Sequence, residues 1–349
     1  MGQKMRERFQ FLDWLRCIGV LLIVYDHLGP LRNSEWFVSG ILEKIINKPL
    51  GIVQYFGAFG VCLFFIISGF CLTANADTGK QFVYNKVVRI LVTLSVATLM
   101  FWIFNKIISI LAGQTYWDQF AFKEWGESAT LLCYIFGRDS AINGAIWYLF
   151  PLMAVFLIVG IFYKIIKKNM VYLVGILDLG FILVIAVTKH KGYYIVQMQW
   201  LIFMLVPLFG VLIRSIWESR ISFKLFLAAF VMNYIIFLKS ILVFRPEYYL
   251  EQPYLISLVY ALLFFSIFLL TENKIAVPQI VKFISNISFS LYLLHMTFGS
   301  LIITGLENKY GFTISFTVTL ACVVALSRFF NKEIEQNVIM KLKIRSKKK

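Results

Sequence analysis

Ten stretches of this 349-residue chain are apolar over enough residues to cross a bilayer, and no other feature limits its fold so strongly. They lie near 10–30, 52–74, 87–108, 145–163, 171–188, 198–216, 222–244, 254–271, 287–306 and 311–330. A helix rising about 1.5 Å per residue needs about 20 residues to cross a hydrocarbon core about 30 Å thick. Backbone amides find no water there, so runs of this length must satisfy their own hydrogen bonds as helices. Composition agrees, with 60% hydrophobic and 15% charged residues, where soluble domains carry about 45–50% and about 25%. The reading is an all-α polytopic membrane protein, a bundle of about ten transmembrane helices forming one domain over 1–349. The spans fill about 10–330, and 331–349 is a basic tail. No period of 20–50 residues repeats. The segment 128–137 (SATLLCYIFG) is too short to span and reads as re-entrant or interfacial.

Ten spans put both termini on one side. If that side is the cytoplasm, inner segments hold 22 Lys and Arg and outer loops 10, the inside-positive bias expected of cytoplasmic termini. The same logic explains the net charge of +16 without nucleic acid. The tail KLKIRSKKK reads as an anchor on anionic lipid. The basic MGQKMRER before the first apolar run resembles a leader. That run is long, charged and without a small-x-small cleavage site, so it is read as a retained first span.

Five cysteines (Cys17, Cys62, Cys71, Cys133, Cys322) show no paired spacing and read as small buried hydrophobes. The histidines His27, His190 and His295 are far apart in sequence, and no metal site is expected. The segment 109–144 is rich in aromatics (Tyr116, Trp117, Phe120, Phe122, Trp125, Tyr134). These are belt residues at the bilayer interface or stacking platforms for an extracellular acceptor.

The first span, LDWLRCIGVLLIVYDHLGP, carries Asp13, Arg16, Asp26 and His27. An ionisable group inside a span costs about 2.5–3.5 kcal/mol on insertion scales, so each needs a partner or a task. At about 100° per residue, Arg16 and His27 lie within roughly 20° of one stripe and about 16 Å apart along the axis. Asp13, one turn before Arg16, is within reach of an ion pair with it. Such a stripe faces a protein interior or a watered cavity. His27 beside Asp26 is either a satisfied structural histidine or a proton acceptor for a hydroxyl nucleophile.

The second span contains FGVCLFFIISGFCLT. Its Ser68-Gly69 step lies at roughly the depth of Arg16 and permits close backbone approach. Lys86 and Arg89, one turn apart at the start of the third span, are inside anchors or receivers of the phosphates of an anionic cofactor. The ninth span, ISNISFSLYLLHMTF, adds a second polar patch of Ser288, Ser290, Tyr292 and His295, either packed or catalytic.

Together these pieces resemble the acyltransferase-3 family of membrane acyltransferases. The resemblance rests on five motifs in order: Arg16 and His27 in the family's R-x10-H pattern, GVCLFFIISGF at 60–70, the basic pair Lys86 and Arg89, GAIWYLFPL at 144–152 with Trp147, and ISFSLYLLH at 287–295. It runs from about 9 to 335. Lys86 stands where the family often has Arg, which keeps the charge but loses the bidentate fork. A proline common shortly after the second basic residue is missing from RILVTLS.

The resemblance implies transfer of an acyl group, usually acetyl, from coenzyme A to a hydroxyl of a cell-surface glycan or its lipid-linked precursor. His27 is then the base, with Arg16 and Asp13 supporting the site. Acetyl-coenzyme A is the acyl donor, bound around Lys86, Arg89, Ser68 and Gly69. Asp26, Trp147, Tyr292 and His295 are further candidates. Direct transfer is expected, with an acyl-enzyme on Ser68 as the lesser route. The expected setting is a bacterial inner membrane. Two rivals stay open: a lipid-linked sugar flippase or polysaccharide exporter, and a structural or sensory membrane protein.

Overall fold

The computed structural model describes residues 9–51, 56–74, 76, 78–112, 120–250, 254–272 and 274–347. Among them the chain forms helices and no strand. Where it is described, each apolar run of the sequence carries a helix. These are α1 (Phe11–Leu28), α2 (Gly57–Phe70), α3 (Gly79–Ala112), α4 (Leu149–Ile161), α5 (Val171–Lys191), α6 (Val206–Trp217), α7 (Phe223–Phe244), α8 (Tyr254–Leu270), α9 (Gln279–Tyr310) and α10 (Phe312–Phe330). A final helix, α11 (Gln336–Lys347), follows α10 across a π-helical turn at Asn331–Glu335. Short 3-10 and α turns precede α4 and α6 and extend those two spans.

Seven of the described helices are long and apolar enough to cross a membrane: those over Gly79–Ile110, Gly144–Ile161, Val171–Lys191, Met198–Trp217, Phe223–Phe244, Gln279–Tyr310 and Phe312–Lys341. The helices α2 and α8 are apolar but shorter. In α1 the apolar run is interrupted by Asp13, Arg16 and Asp26.

Burial sorts the helices into an inner and an outer layer. The 198–217 span and α9 are mostly covered by protein, whereas α5, α7 and α10 leave most of their apolar surface outward, the face lipid covers in a membrane protein. At the centre α1 packs against α9, α2 and α8, and α2 packs in turn against α6. The α2–α6 crossing depends on two glycines. A side chain on Gly69 would strike the carbonyl of Pro207, and one on Gly210 the carbonyl of Ile66. With no side chain at either position the two backbones touch.

Polar ties fix α1 at both ends. The amides of Gln10 and Phe11, free at the helix start, donate to the Glu272 carboxylate at 2.7 and 2.8 Å. Beyond its other end Arg32 pairs with Glu307 of α9 at 3.0 Å and donates to Thr304 at 2.5 Å.

The segment expected to be re-entrant or interfacial folds as two short helices, Phe122–Thr130 and Leu132–Ile135, joined at Leu131 in the left-handed region (φ 62°). The aromatics of the longer segment 109–144 are not all available to an acceptor. Tyr134 is fully buried, stacked on Phe150 with ring centroids 5.5 Å apart. Tyr116 and Trp117 lie outside the described residues. All five cysteines are free: Cys17, Cys62 and Cys133 are buried, Cys71 is half-buried and Cys322 is exposed.

Candidate active site

The first and ninth helices bring together two histidines that are 268 residues apart in sequence. Their approach depends on Gly299, one turn beyond His295, because a Cβ there would come within 2.8 Å of the buried Leu28 side chain. Across this contact Nε2 of His295 lies 3.3 Å from Nδ1 of His27. Each Nδ1 also faces a backbone carbonyl of its own helix, that of Ile23 at 2.9 Å for His27 and that of Tyr292 at 2.7 Å for His295. A carbonyl oxygen only accepts, so these contacts assign the proton of each neutral ring to Nδ1. Nε2 of His27 is left as a lone pair on a half-buried ring.

A cavity of about 770 Å³ approaches this pair. Its wall includes Ile23 and Tyr292, the residues whose carbonyls hold the two rings, and Arg16 about two turns back along α1. From there it extends past Ser68, Cys71, Ser285 and Ser288 to Lys86, Arg89, Asn331, Glu335 and Gln336. The stripe from Arg16 toward His27 therefore faces the protein interior. Three cations and one carboxylate leave the cavity positively charged, which suits an anionic guest.

The cations differ in their surroundings. Arg16 donates to Cys71 Sγ at 3.8 Å, a weak acceptor, and makes no ion pair among the described residues. Lys86 lies over the rings of Phe82 and Phe156, 5.9 and 5.4 Å from their centroids. Arg89 pairs with Glu335 at 3.3 Å, with about half of its own side chain exposed. Glu335 is buried and also accepts from Ser290 at 2.8 Å and Asn331 at 2.7 Å. Three donors on one carboxylate explain how its charge is tolerated there.

Several expectations change. Asp13 and Arg16 form no ion pair with each other; buried Asp13 accepts from Ser285 Oγ at 2.7 Å and ties α1 to α9. Asp26 is buried without a bond to His27, and its Oδ1 has no hydrogen-bond partner among the described residues. Gly69 serves the α2–α6 crossing and is absent from the cavity wall. Trp147 packs on Phe203 and Phe65, with centroids 4.9 and 6.3 Å apart, and does not line the cavity. Tyr292 lines it, its hydroxyl donating to the carbonyl of Ala145.

Ser68 lines the cavity beside Tyr148, whose hydroxyl donates to the carbonyl of Phe64 at 3.2 Å. Ser68 Oγ is 2.9 Å from the Tyr148 oxygen, and because the Tyr148 proton is used on Phe64 the serine is the donor in this contact. The serine proton thus points to a phenol and not to a base, which disfavours a nucleophilic role. Ser68→Ala is expected to keep turnover within about tenfold of wild type, the effect of losing one neutral hydrogen bond of about 0.5–1.5 kcal/mol. A covalently acylated Ser68 peptide in mass spectra of the quenched reaction would contradict this.

Sequence reasoning missed Tyr148, Cys71, Asn331 and Glu335. The acidic pair in NKEIEQN, inside an otherwise basic tail, was the one available signal for Glu335. Among the described residues no group of three His, Cys, Asp or Glu is placed to hold a metal ion.

Residues 9–328 match the acyltransferase domain that defines the acyltransferase-3 family. The chain belongs to that family. This acyltransferase is thus an integral, multi-pass membrane protein, as its apolar helices also require. No curated protein and no solved structure matches it. The matched segment contains both histidines, Arg16, Lys86 and Arg89, but ends before Asn331 and Glu335.

Proposed function

We propose that this acyltransferase moves an acetyl group from acetyl-coenzyme A to a hydroxyl of a cell-surface glycan or its lipid-linked precursor. The observation that carries the reading is the single cavity joining Lys86, Arg89 and Arg16 to the residues that hold the histidine pair. On this reading ten helices span a bacterial inner membrane with both termini in the cytoplasm. The mouth at Lys86 and Arg89 then faces the cytoplasmic pool of donor. The phosphates of coenzyme A are bound by the two cations, and the pantetheine arm runs along the wall past Arg16 and Ser68.

In the reaction, Nε2 of His27 accepts the proton of the acceptor hydroxyl as its oxygen attacks the thioester carbonyl. The new C–O bond forms, the C–S bond breaks, and the departing thiolate takes the proton from His27. Asp13 acts at a distance, by fixing α1 against α9.

Membranes carrying the protein, supplied with radiolabelled acetyl-coenzyme A and purified surface glycan, should place label on the glycan as an alkali-labile ester. Label that never leaves coenzyme A would refute acyl transfer to this acceptor class. Arg89→Ala should raise the KM for acetyl-coenzyme A about tenfold or more with little change in kcat, since hydrogen bonds to charged groups contribute about 1.5–3 kcal/mol. An unchanged KM would remove Arg89 from the donor site.

A further inference from the structure

A buried histidine whose two nitrogens are both satisfied needs two partners, and His295 has them on different helices. Its ring is fully buried. Nδ1 donates to Tyr292 of its own helix, so the lone pair on Nε2 requires a donor from elsewhere. Among the described residues its partner is Nδ1 of His27 at 3.3 Å, which carries its proton because it also faces the carbonyl of Ile23. The opposite arrangement, with His295 donating from Nε2, needs a doubly protonated ring in the protein interior and sets a lone pair of His27 against a carbonyl. Both features are unfavourable.

We propose that His295 is a positioning residue for His27, accepting its Nδ1 proton and so holding Nε2 as the lone pair that takes the proton of the acceptor hydroxyl. The proposal rests on His27 being the base of the reaction proposed above. While His27 carries the second proton, its Nδ1–H stays between the Ile23 carbonyl and Nε2 of His295. The imidazolium thereby keeps two acceptors without a buried carboxylate. Asp26, the nearest carboxylate in sequence, makes no bond to His27. A neutral imidazole thus occupies the place that an acid holds beside many catalytic histidines. Gly299 and Leu28 set the helix spacing that makes this possible.

Three substitutions separate positioning from packing. His295→Phe fills the space without an acceptor. His295→Asn keeps a polar group near the Tyr292 carbonyl but is too short to reach His27. His295→Gln carries an amide oxygen at about the reach of Nε2. Purified full-length protein in nanodiscs is assayed with acetyl-coenzyme A and the purified glycan. In parallel, carbethoxylation of His27 by diethylpyrocarbonate is followed by mass spectrometry, which needs no acceptor.

The Phe and Asn variants should lose about 10- to 100-fold in kcat, the size of effect known for partners that orient metal-bound histidines. Their KM for acetyl-coenzyme A should stay unchanged, and their His27 should react more slowly with the reagent. The Gln variant should recover most of both. If Phe and Asn variants turn over and label like wild type while His27→Ala is inactive, the positioning role is wrong and the base assignment stands. Positioning also fails if the folded Gln variant is as impaired as Phe. If His27→Ala remains fully active, it is the proposed function of His27 that falls.

Discussion

His27→Ala is expected to lower kcat for acetyl transfer about 10³-fold, within the 10²–10⁴-fold range of a lost general base. Affinity for acetyl-coenzyme A should hardly change. The two effects separate because Lys86 and Arg89, to which the proposed function assigns the donor, line another part of the cavity, whereas His27 lies beyond its wall at Ile23. A mutation there removes a group used in the transition state and leaves ground-state binding of the donor intact. The measurement is kcat and KM on purified protein, with coenzyme A binding followed by calorimetry and the O-acyl content of surface glycan compared at matched membrane levels. Wild-type turnover in a folded His27→Ala protein would end the catalytic assignment. Loss of donor binding alongside turnover would mean that the substitution had disturbed α1 itself.

Gly210→Ala, far from the histidines in sequence, is expected to damage the fold more than any single change in the cavity wall. The added methyl group meets the carbonyl of Ile66 and the amide of Phe70, which are helical backbone and cannot rotate aside. Relief requires α2 and α6 to move apart, and overpacking of that kind costs about 1–3 kcal/mol. Larger residues should prevent folding. Because α2 also carries Ser68 and packs against α1, the loss should appear as a lower thermal midpoint of the purified protein, with donor affinity falling in parallel. Gly175→Ala, which meets nothing within 4 Å, is the control and should leave the midpoint unchanged. An unaltered midpoint in Gly210→Ala would show that the crossing has slack.

Much of this architecture was legible because membrane spans are specified locally. Length and apolarity alone define a span, so α5 appears from Val171 and α7 from Phe223 within a residue of where the apolar runs begin. The stripe joining Arg16 to His27 was legible for a similar reason, since helical periodicity fixes which residues share a face. What sequence could not supply were the partners. Asp13 looks like a mate for Arg16, three residues away, yet it bonds Ser285 on a helix 272 residues later. Gly69 alone reads more readily as a helix-packing residue than as part of a ligand site, and Pro207 opposite it decides for packing. His295 was visible as a buried histidine, but its distance from His27 depends on the packing of Gly299 against Leu28.

Five cavity-wall residues, Asn331, Glu335, Gln336, Ile339 and Met340, come from the π-helical turn and the helix after it, beyond the segment that matches the family. One side of the cavity mouth is therefore encoded outside the matched segment, while the other side, with Lys86 and Arg89, lies within it. On the proposed function, an exchange of residues 331–347 with another sequence would keep both histidines while altering one side of the mouth through which the donor enters. In such a modular arrangement, new donor preferences can arise without any change to the atoms that make and break bonds.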